Sequence, residues 1–356
     1  MAGKRIAVVL FNLGGPDCTA AIQPFLFNLF NDPAIIGAPQ PIRWLLATLI
    51  SYRRAPIARA IYSRIGGASP LLENTRAQAA ALTAALGEGD TGWAELRVFT
   101  AMRYWHPMSP EAAAEVKQFE PDEIVLLPLY PQFSTTTTGS SIGAWRAAAA
   151  AEGIDAPTRV LCCYPTEPDF IAAHARLIRP ALDEAAAAGR PRLLFSAHGL
   201  PKKIVERGDP YVWQIEQGAA AVAAALADSH ADLDWRVCYQ SRVGPLEWIG
   251  PSIEQELTRA GRERVPVVVT PIAFVSEHSE TLVELDVEYR EFAERNKVPG
   301  YLRVAALGTD AAFIATLAAL VRRTLVGGAA LCSQDGGRLC PASAARCAFA
   351  AGAGGR

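Results

Sequence analysis

The amino-acid sequence predicts an α/β protein made of two similar Rossmann-like domains, each doubly wound around a parallel four-stranded sheet. Three observations carry this. Short β-branched runs alternate with alanine-rich helical runs along the chain, the order expected of βαβ units. The strand candidates are nearly continuous in apolar residues, as in sheets covered by helices on both faces. The chain has 356 residues, enough for two ordinary domains, and its strands divide more naturally into two small sheets than one large one.

Strands are expected at 6–10, 96–101, 124–129, 160–164, 193–196, 237–240, 265–270 and 302–306, and helices at 167–188, 211–227, 281–295 and 311–325. The boundary falls near Tyr164. This gives an N-terminal domain over 1–164, a C-terminal domain over 165–326 and a cysteine-containing extension over 327–356. The extension is rich in Gly, Ala and Ser, and without a staple it should be loosely ordered. One insertion, 39–54, is apolar and aromatic in its middle (Trp44, Leu45, Leu46) and basic towards its ends (Arg43, Arg53, Arg54). Composition alone favours a core helix there; the alternative is an apolar lip that dips into a membrane surface.

Net charge is −2 with both signs spread along the chain, so there is no electrostatic footprint for nucleic acid. No apolar run is long enough to span a bilayer. The N-terminus lacks the pattern of a secretory signal, so the expected compartment is the cytoplasm. Neither GxGxxG nor GxxxxGK[ST] occurs, which removes support for nucleotide binding.

In open α/β sheets, ligands bind beyond the carboxyl ends of the strands. Polar, turn-rich segments follow the expected strands here: Asn12-Leu13-Gly14-Gly15-Pro16, Met102-Arg103-Tyr104-Trp105, the Ser/Thr run from Ser134 to Ser140, Ser196-Ala197-His198-Gly199, Gln240-Ser241-Arg242-Val243-Gly244-Pro245, and Phe274 to Glu280. They are expected to converge on one cleft edge. His198, one of five histidines, ends an apolar strand before a turn forced by Gly199 and Pro201. A histidine there can serve as a general base, or simply bond a loop carbonyl. Glu277, Glu280, Glu284, Glu288 and Glu291 are spaced to share one helix face, with His278 beside them. Like charges so placed repel unless protons or cations occupy them, although a solvated acidic face is the common alternative. Imidazole and carboxylate together suit Fe2+ or a similar ion. Without HExxH or facial-triad spacing, a transient ion or a proton route fits better than a resident metal. Arginines and aromatic residues near strand ends (Arg64, Arg103, Tyr104, Trp248, Phe274) could grip carboxylates and offer flat surfaces to a flat ligand.

The chain resembles ferrochelatases from Asn12 to about Leu325. The most specific strings are Ser196-Ala197-His198-Gly199-Leu200-Pro201, the run from Gln240 to Pro245 with Trp248, and the run from Pro271 through Ser276-Glu277-His278-Ser279-Glu280 to Asp286. Tyr62 to Pro70 and Tyr130 to Ser141 add to them. The resemblance implies a porphyrin cleft between two Rossmann-like domains. It implies insertion of Fe2+ into protoporphyrin IX to give protohaem (haem b) and two protons, the terminal step of haem biosynthesis. His198 would accept protons or bind iron, and Glu280 would face it across the macrocycle. Glu284, Asp286 and Glu288 would extend a carboxylate route for protons or metal, with His278 and Glu277 at its inner end. Arg64, Arg103 and Tyr104 would engage the propionates or walls; Trp248 and Phe274 would pack on the ring. Leu13 stands where coproporphyrin enzymes of the family carry tyrosine, which implies the protoporphyrin substrate. The resemblance also turns the reading of 39–54 towards a membrane lip, hence peripheral association with the inner membrane.

Some family members hold a [2Fe–2S] cluster on three C-terminal cysteines and an internal one. Cys332, Cys340 and Cys347 would supply the three, and Cys163 or Cys162 the fourth, because Ala173 occupies the position of the animal internal cysteine. Unrelated thiols or a zinc site are the alternatives. The expected partners are a porphyrin, a membrane surface and a second copy of the chain in a homodimer. Two readings compete: a cobaltochelatase acting on another tetrapyrrole, and a non-enzymatic porphyrin carrier.

Overall fold

The computed structural model describes residues 3–88, 92–242, 244 and 246–350. Val243 and Pro245 of the Gln240 string therefore lie outside the described residues. The chain forms two compact units: Met1–Cys163 with Leu317–Leu339, and Tyr164–Thr316 with Cys340–Ala350.

In the first unit β1 (Lys4–Asn12) is followed by α1 (Ile22–Phe30), α2 (Ile42–Ser63), α3 (Leu71–Gly87), β2 (Trp93–Met102) and α4 (Ser109–Phe119). Next come β3 (Glu123–Pro128), α5 (Thr138–Ala151) and β4 (Thr158–Leu161). The second unit holds α6 (Pro168–Ala185), β5 (Arg192–His198), α7 (Lys202–Glu206), α8 (Tyr211–Ala225), β6 (Asp234–Gln240), α9 (Ile253–Glu263) and β7 (Val267–Pro271). It continues through a π-helix (Glu280–Glu288), α10 (Tyr289–Arg295) and β8 (Tyr301–Arg303). After α11 (Ala311–Gly327), β9 (Leu331–Cys332) returns to the first sheet.

The sheet orders are β2-β1-β3-β4-β9 and β6-β5-β7-β8, with every pair parallel. In each unit the first strand lies between the second and third. Successive crossovers therefore leave in opposite directions, opening a switch point at the carboxyl ends of β1/β3 and of β5/β7. The apolar runs explain the layering: Ile6 to Phe11 are each at most 2% exposed, so helices must cover both faces of β1. Each large side chain so buried contributes roughly 1.5–3 kcal/mol. In the second unit, Leu194, Val267 and Val269 pack with Ile253, Leu257 and Ala260 of α9. Ser252 starts α9 in a reciprocal capping box with Gln255.

The structure differs from expectation in three places. The extension is not loose over its described part. Leu331 and Cys332 add a fifth strand, which gives the outer edge of β4 its partners: Val160 N–H donates to Ala330 O, and Cys162 N–H to Cys332 O. Residues 281–295 do not form one α-helix; the segment opens as a π-helix, closed by Tyr289 N–H donating to Glu284 O. The insertion is helical, as α2, but composition misjudged its surroundings. Its small residues Ala47, Ser51 and Ala55 face inward, while Trp44, Leu45, Leu49 and Tyr52 face out.

Candidate active site

His198 is the last residue of β5, at the switch point of the second sheet. There it pairs in register with Gln240, the last residue of β6. Gly199 lets the turn pass close to β6: its N–H donates to Gln240 O, and a Cβ there would sit 2.9 Å from that oxygen. The loop before Trp248 is pinned to this turn, since Lys202 N–H donates to Glu247 O and Ile249 N–H to Leu200 O.

Across the switch point, the loop after β7 delivers Glu280 to His198. Nδ1 and Oε2 are 2.8 Å apart. This corrects the expectation that the two face each other across a macrocycle. They form one hydrogen-bonded pair on a single unit, and no ring fits between atoms at that distance. The π-helix then places Glu284 beside Glu280. Ser241 Oγ donates to Glu284 Oε2 at 2.6 Å and lies 3.3 Å from Glu280 Oε2. Gln240 Nε2 donates to the Glu280 carbonyl and to Glu284 Oε2, and its own Oε1 accepts from Ser196. Ser241 does this from a left-handed backbone, φ 61°, a strained setting for a non-glycine residue and one frequent at functional sites.

The electrostatics follow from this packing. Burial opposes charge on all three groups, but they resolve differently. Burial would lower His198, yet the Glu280 carboxylate and its hydrogen bond hold the imidazolium above its ordinary value. Burial would raise Glu280, but His198, then His278 and Ser241, bring it down to about 2. For Glu284 burial, then the Glu280 charge, outweigh the Ser241 hydrogen bond and the weaker pull of His198 and push it up to about 8. The pair therefore favours an imidazolium on His198 against a carboxylate on Glu280, while Glu284 is biased towards its protonated form. His198 still keeps 38% of its side-chain surface accessible.

The other expected residues divide. His278 is buried, edge-on to Phe274 at 4.6 Å, and burial lowers its imidazole. Glu288 ends the π-helix and is partly exposed. Glu277 and Asp286 do not lie on a carboxylate route. Arg303 of β8 grips both, and Glu277 also accepts the Ala306 N–H, so these charges anchor the two flanks of the π-helix. In the first unit Tyr104 is no ligand wall: it is fully buried and its hydroxyl donates to Asp32 at 2.8 Å. Arg103 binds the same carboxylate and Ser140, so its charge is already matched. Leu13 joins the apolar cluster of Ile22, Phe25 and Tyr104, and Arg64 is exposed at the end of α2.

Sequence reasoning missed Tyr211, the first residue of α8. It is buried, and burial first, then neighbouring charges that include Glu280, raise its hydroxyl well above the ordinary value. Nothing in an alanine-rich run distinguished it. The roles of Gln240 and Ser241 were also missed, although both stand in a quoted string.

A parallel sheet with a histidine–carboxylate pair at its switch point is the frame of an α/β protein whose ligand site lies at the strand ends. Solved structures with this fold include SirB from Bacillus subtilis with Fe3+ (TM-score 0.53, 10% identity, 90% of this chain and 95% of that one). The sirohydrochlorin chelatase SirB from Bacillus subtilis subspecies spizizenii in complex with cobalt is similar (TM-score 0.52, 10% identity, 91% and 97%). At that identity the likeness concerns the fold. The ferrochelatase family model matches residues 5–325. A ferrochelatase of Caulobacter vibrioides is 54% identical over 98% of this chain and 99% of its own, and one of Hyphomonas neptunium 52% over 97% and 95%. The chain belongs to the ferrochelatase family.

Proposed function

We propose that the chain inserts Fe2+ into protoporphyrin IX, yielding protohaem and two protons, and so completes haem synthesis. The observation that carries this is the geometry of the group: His198 is hydrogen-bonded to Glu280 at 2.8 Å, and Ser241 joins Glu280 to Glu284. A neutral imidazole and two carboxylates around a bound Fe2+ sum to zero charge. When the iron passes to the porphyrin, His198 and Glu284 stand ready to take its two pyrrole protons. Buried charge is never left uncompensated, which is the costly outcome in such a site. Distortion of the macrocycle would expose its nitrogen lone pairs. Trp248 and Phe274 are the ring-packing candidates, and the exposed Arg64 suits a propionate better than the neutralised Arg103. Leu13, an apolar contact, supports protoporphyrin over coproporphyrin. An anaerobic assay offering Fe2+ with each porphyrin tests this: faster turnover of protoporphyrin IX is expected, and a preference for coproporphyrin III overturns the substrate assignment.

The apolar outer face of α2 supports peripheral membrane binding. Leu45 is 59% and Tyr52 70% exposed, with Arg53 and Arg59 exposed nearby. No helix among the described residues is long and apolar enough to cross a membrane. Replacing Leu45 and Leu49 with Glu is expected to weaken co-sedimentation with anionic vesicles by roughly tenfold or more, at unchanged turnover in detergent. Unchanged sedimentation refutes the lip. Homodimerisation belongs to the same proposal and is read by sedimentation equilibrium.

The extension is read as the holder of a [2Fe–2S] cluster on Cys332, Cys340, Cys347 and Cys163 or Cys162. The supply of thiols supports it, although burial, and further Cys163, raise the Cys332 thiol against a hydrogen bond with Thr324, so a cluster would have to displace that proton. Cys162 and Cys163 have sulfurs 3.3 Å apart, and Gln214 Nε2 donates to Cys340 Sγ at 3.1 Å. Among the described residues no three His, Cys, Asp or Glu side chains are gathered for a metal ion. Acid-labile sulfide and visible absorption in anaerobically purified protein are expected; their absence removes the cluster.

A further inference from the structure

The strand that carries His198 and the helix that carries Glu280 and Glu284 are tied together through one amide. Gln240 ends β6 in register with His198, and it is wholly buried. Its main-chain oxygen accepts the Gly199 N–H at 2.8 Å, which holds the turn just after His198. Its side chain reaches the other way. Nε2 donates to the Glu280 carbonyl at 2.8 Å and to Glu284 Oε2 at 3.1 Å. Glu280 opens the π-helix and Glu284 lies one turn on, so the two N–H groups pin both the entrance of that helix and its next carboxyl.

Chemistry fixes which way the amide faces. The Glu280 carbonyl can only accept, so it must meet Nε2 and not Oε1. On the far side Oε1 accepts from Ser196 Oγ at 2.7 Å. Ser196 lies two residues before His198, on the same face of β5, and is also wholly buried. Turning the amide over would set Oε1 against the Glu280 carbonyl and leave buried polar groups unpaired, which is costly. No isostere does the same work. Leucine fills the space without a donor, and glutamate would face Glu284 with a second acid.

We infer that Gln240, oriented by Ser196, is a positioning residue for iron capture that holds Glu280 and Glu284 at a set separation. This rests on His198, Glu280 and Glu284 receiving the iron, as proposed above. Wholly buried, Gln240 presents nothing to a macrocycle, so porphyrin affinity does not draw on it. Removing a group that orients metal ligands typically costs about 10–100-fold in metal affinity or activity.

Anaerobic kinetics on the full-length protein, with Fe2+ and protoporphyrin IX varied separately, test this. Gln240→Leu is expected to raise the KM for Fe2+ roughly tenfold and to leave the KM for porphyrin within twofold. Ser196→Ala removes only the orienting hydroxyl and should act in the same direction, by roughly threefold. Because Ser196 works through Gln240, the double variant should be no worse than Gln240→Leu alone. A KM for Fe2+ within twofold of the parent in Gln240→Leu overturns the inference. So do two KM values that rise together, as in a general loosening of the fold, and so do effects that multiply in the double variant. If Gln240→Leu does not fold, Gln240→Glu and Ser196→Ala are held to the same split between the two KM values. Failure of the underlying reading looks different: His198→Ala would then retain turnover whatever the Gln240 variants show.

Discussion

His198→Ala is expected to lower kcat/KM for iron insertion by roughly 10²–10⁴-fold while porphyrin still binds. The substitution removes a nitrogen ligand and one of the two proton-holding sites. It also leaves Glu280 without the cation that outweighs its burial, so that carboxyl should rise from about 2 towards the range of a buried acid. The site then begins with a proton on Glu280 as well as Glu284, and an incoming Fe2+ must expel both from carboxylic acids. Anaerobic steady-state kinetics alongside a porphyrin fluorescence titration read the two effects separately. A carrier would lose affinity; a chelatase loses turnover. Turnover within tenfold of the parent protein would show that His198 is not the reacting group.

Glu284→Gln has a signature in both rate and stability. Glutamine keeps the bonds from Ser241 and Gln240 but cannot take on charge, so iron would bind with an uncompensated positive charge. A roughly 100-fold loss in kcat/KM for Fe2+ is expected, together with loss of the limb of the pH profile near 8. The stability effect runs the other way. Glu284 titrates at about 8 when folded, against 4.5 for the free side chain. Between those values the folded chain keeps a proton that the unfolded chain has shed, so stability falls as pH rises through the window. Glu284→Gln removes this slope. Relative to the parent, the variant should gain stability from pH 5 to pH 8.5, by at most about 4 kcal/mol. Thermal melts at the two pH values check it; parallel behaviour of both proteins would place the Glu284 proton elsewhere.

Much of the fold was legible because parallel strands are apolar throughout and helices between them are alanine-rich. Runs such as Ile6 to Phe11 admit few other readings. β9 was not legible: two residues carry no periodicity, and only the open edge of β4 makes them a strand. The candidate site was half legible. His198 and Glu280 stand out by residue type and position. Their direct hydrogen bond does not, because strand order alone decides which loop ends meet. The even spacing of the glutamates suggested one continuous face, whereas Arg303, distant in sequence, diverts Glu277 and Asp286 into an anchor.

The return of β9 to the first sheet has a consequence for synthesis. The strand that seals β4 lies at Leu331–Cys332, after all of residues 164–316. A chain emerging from the ribosome can assemble β1 to β4 early, but β4 stays an open edge until residues 331–332 have been made. Open edges recruit other strands. Chains that terminate before residue 331 should therefore be the aggregation-prone species, even though they contain every residue of the candidate site.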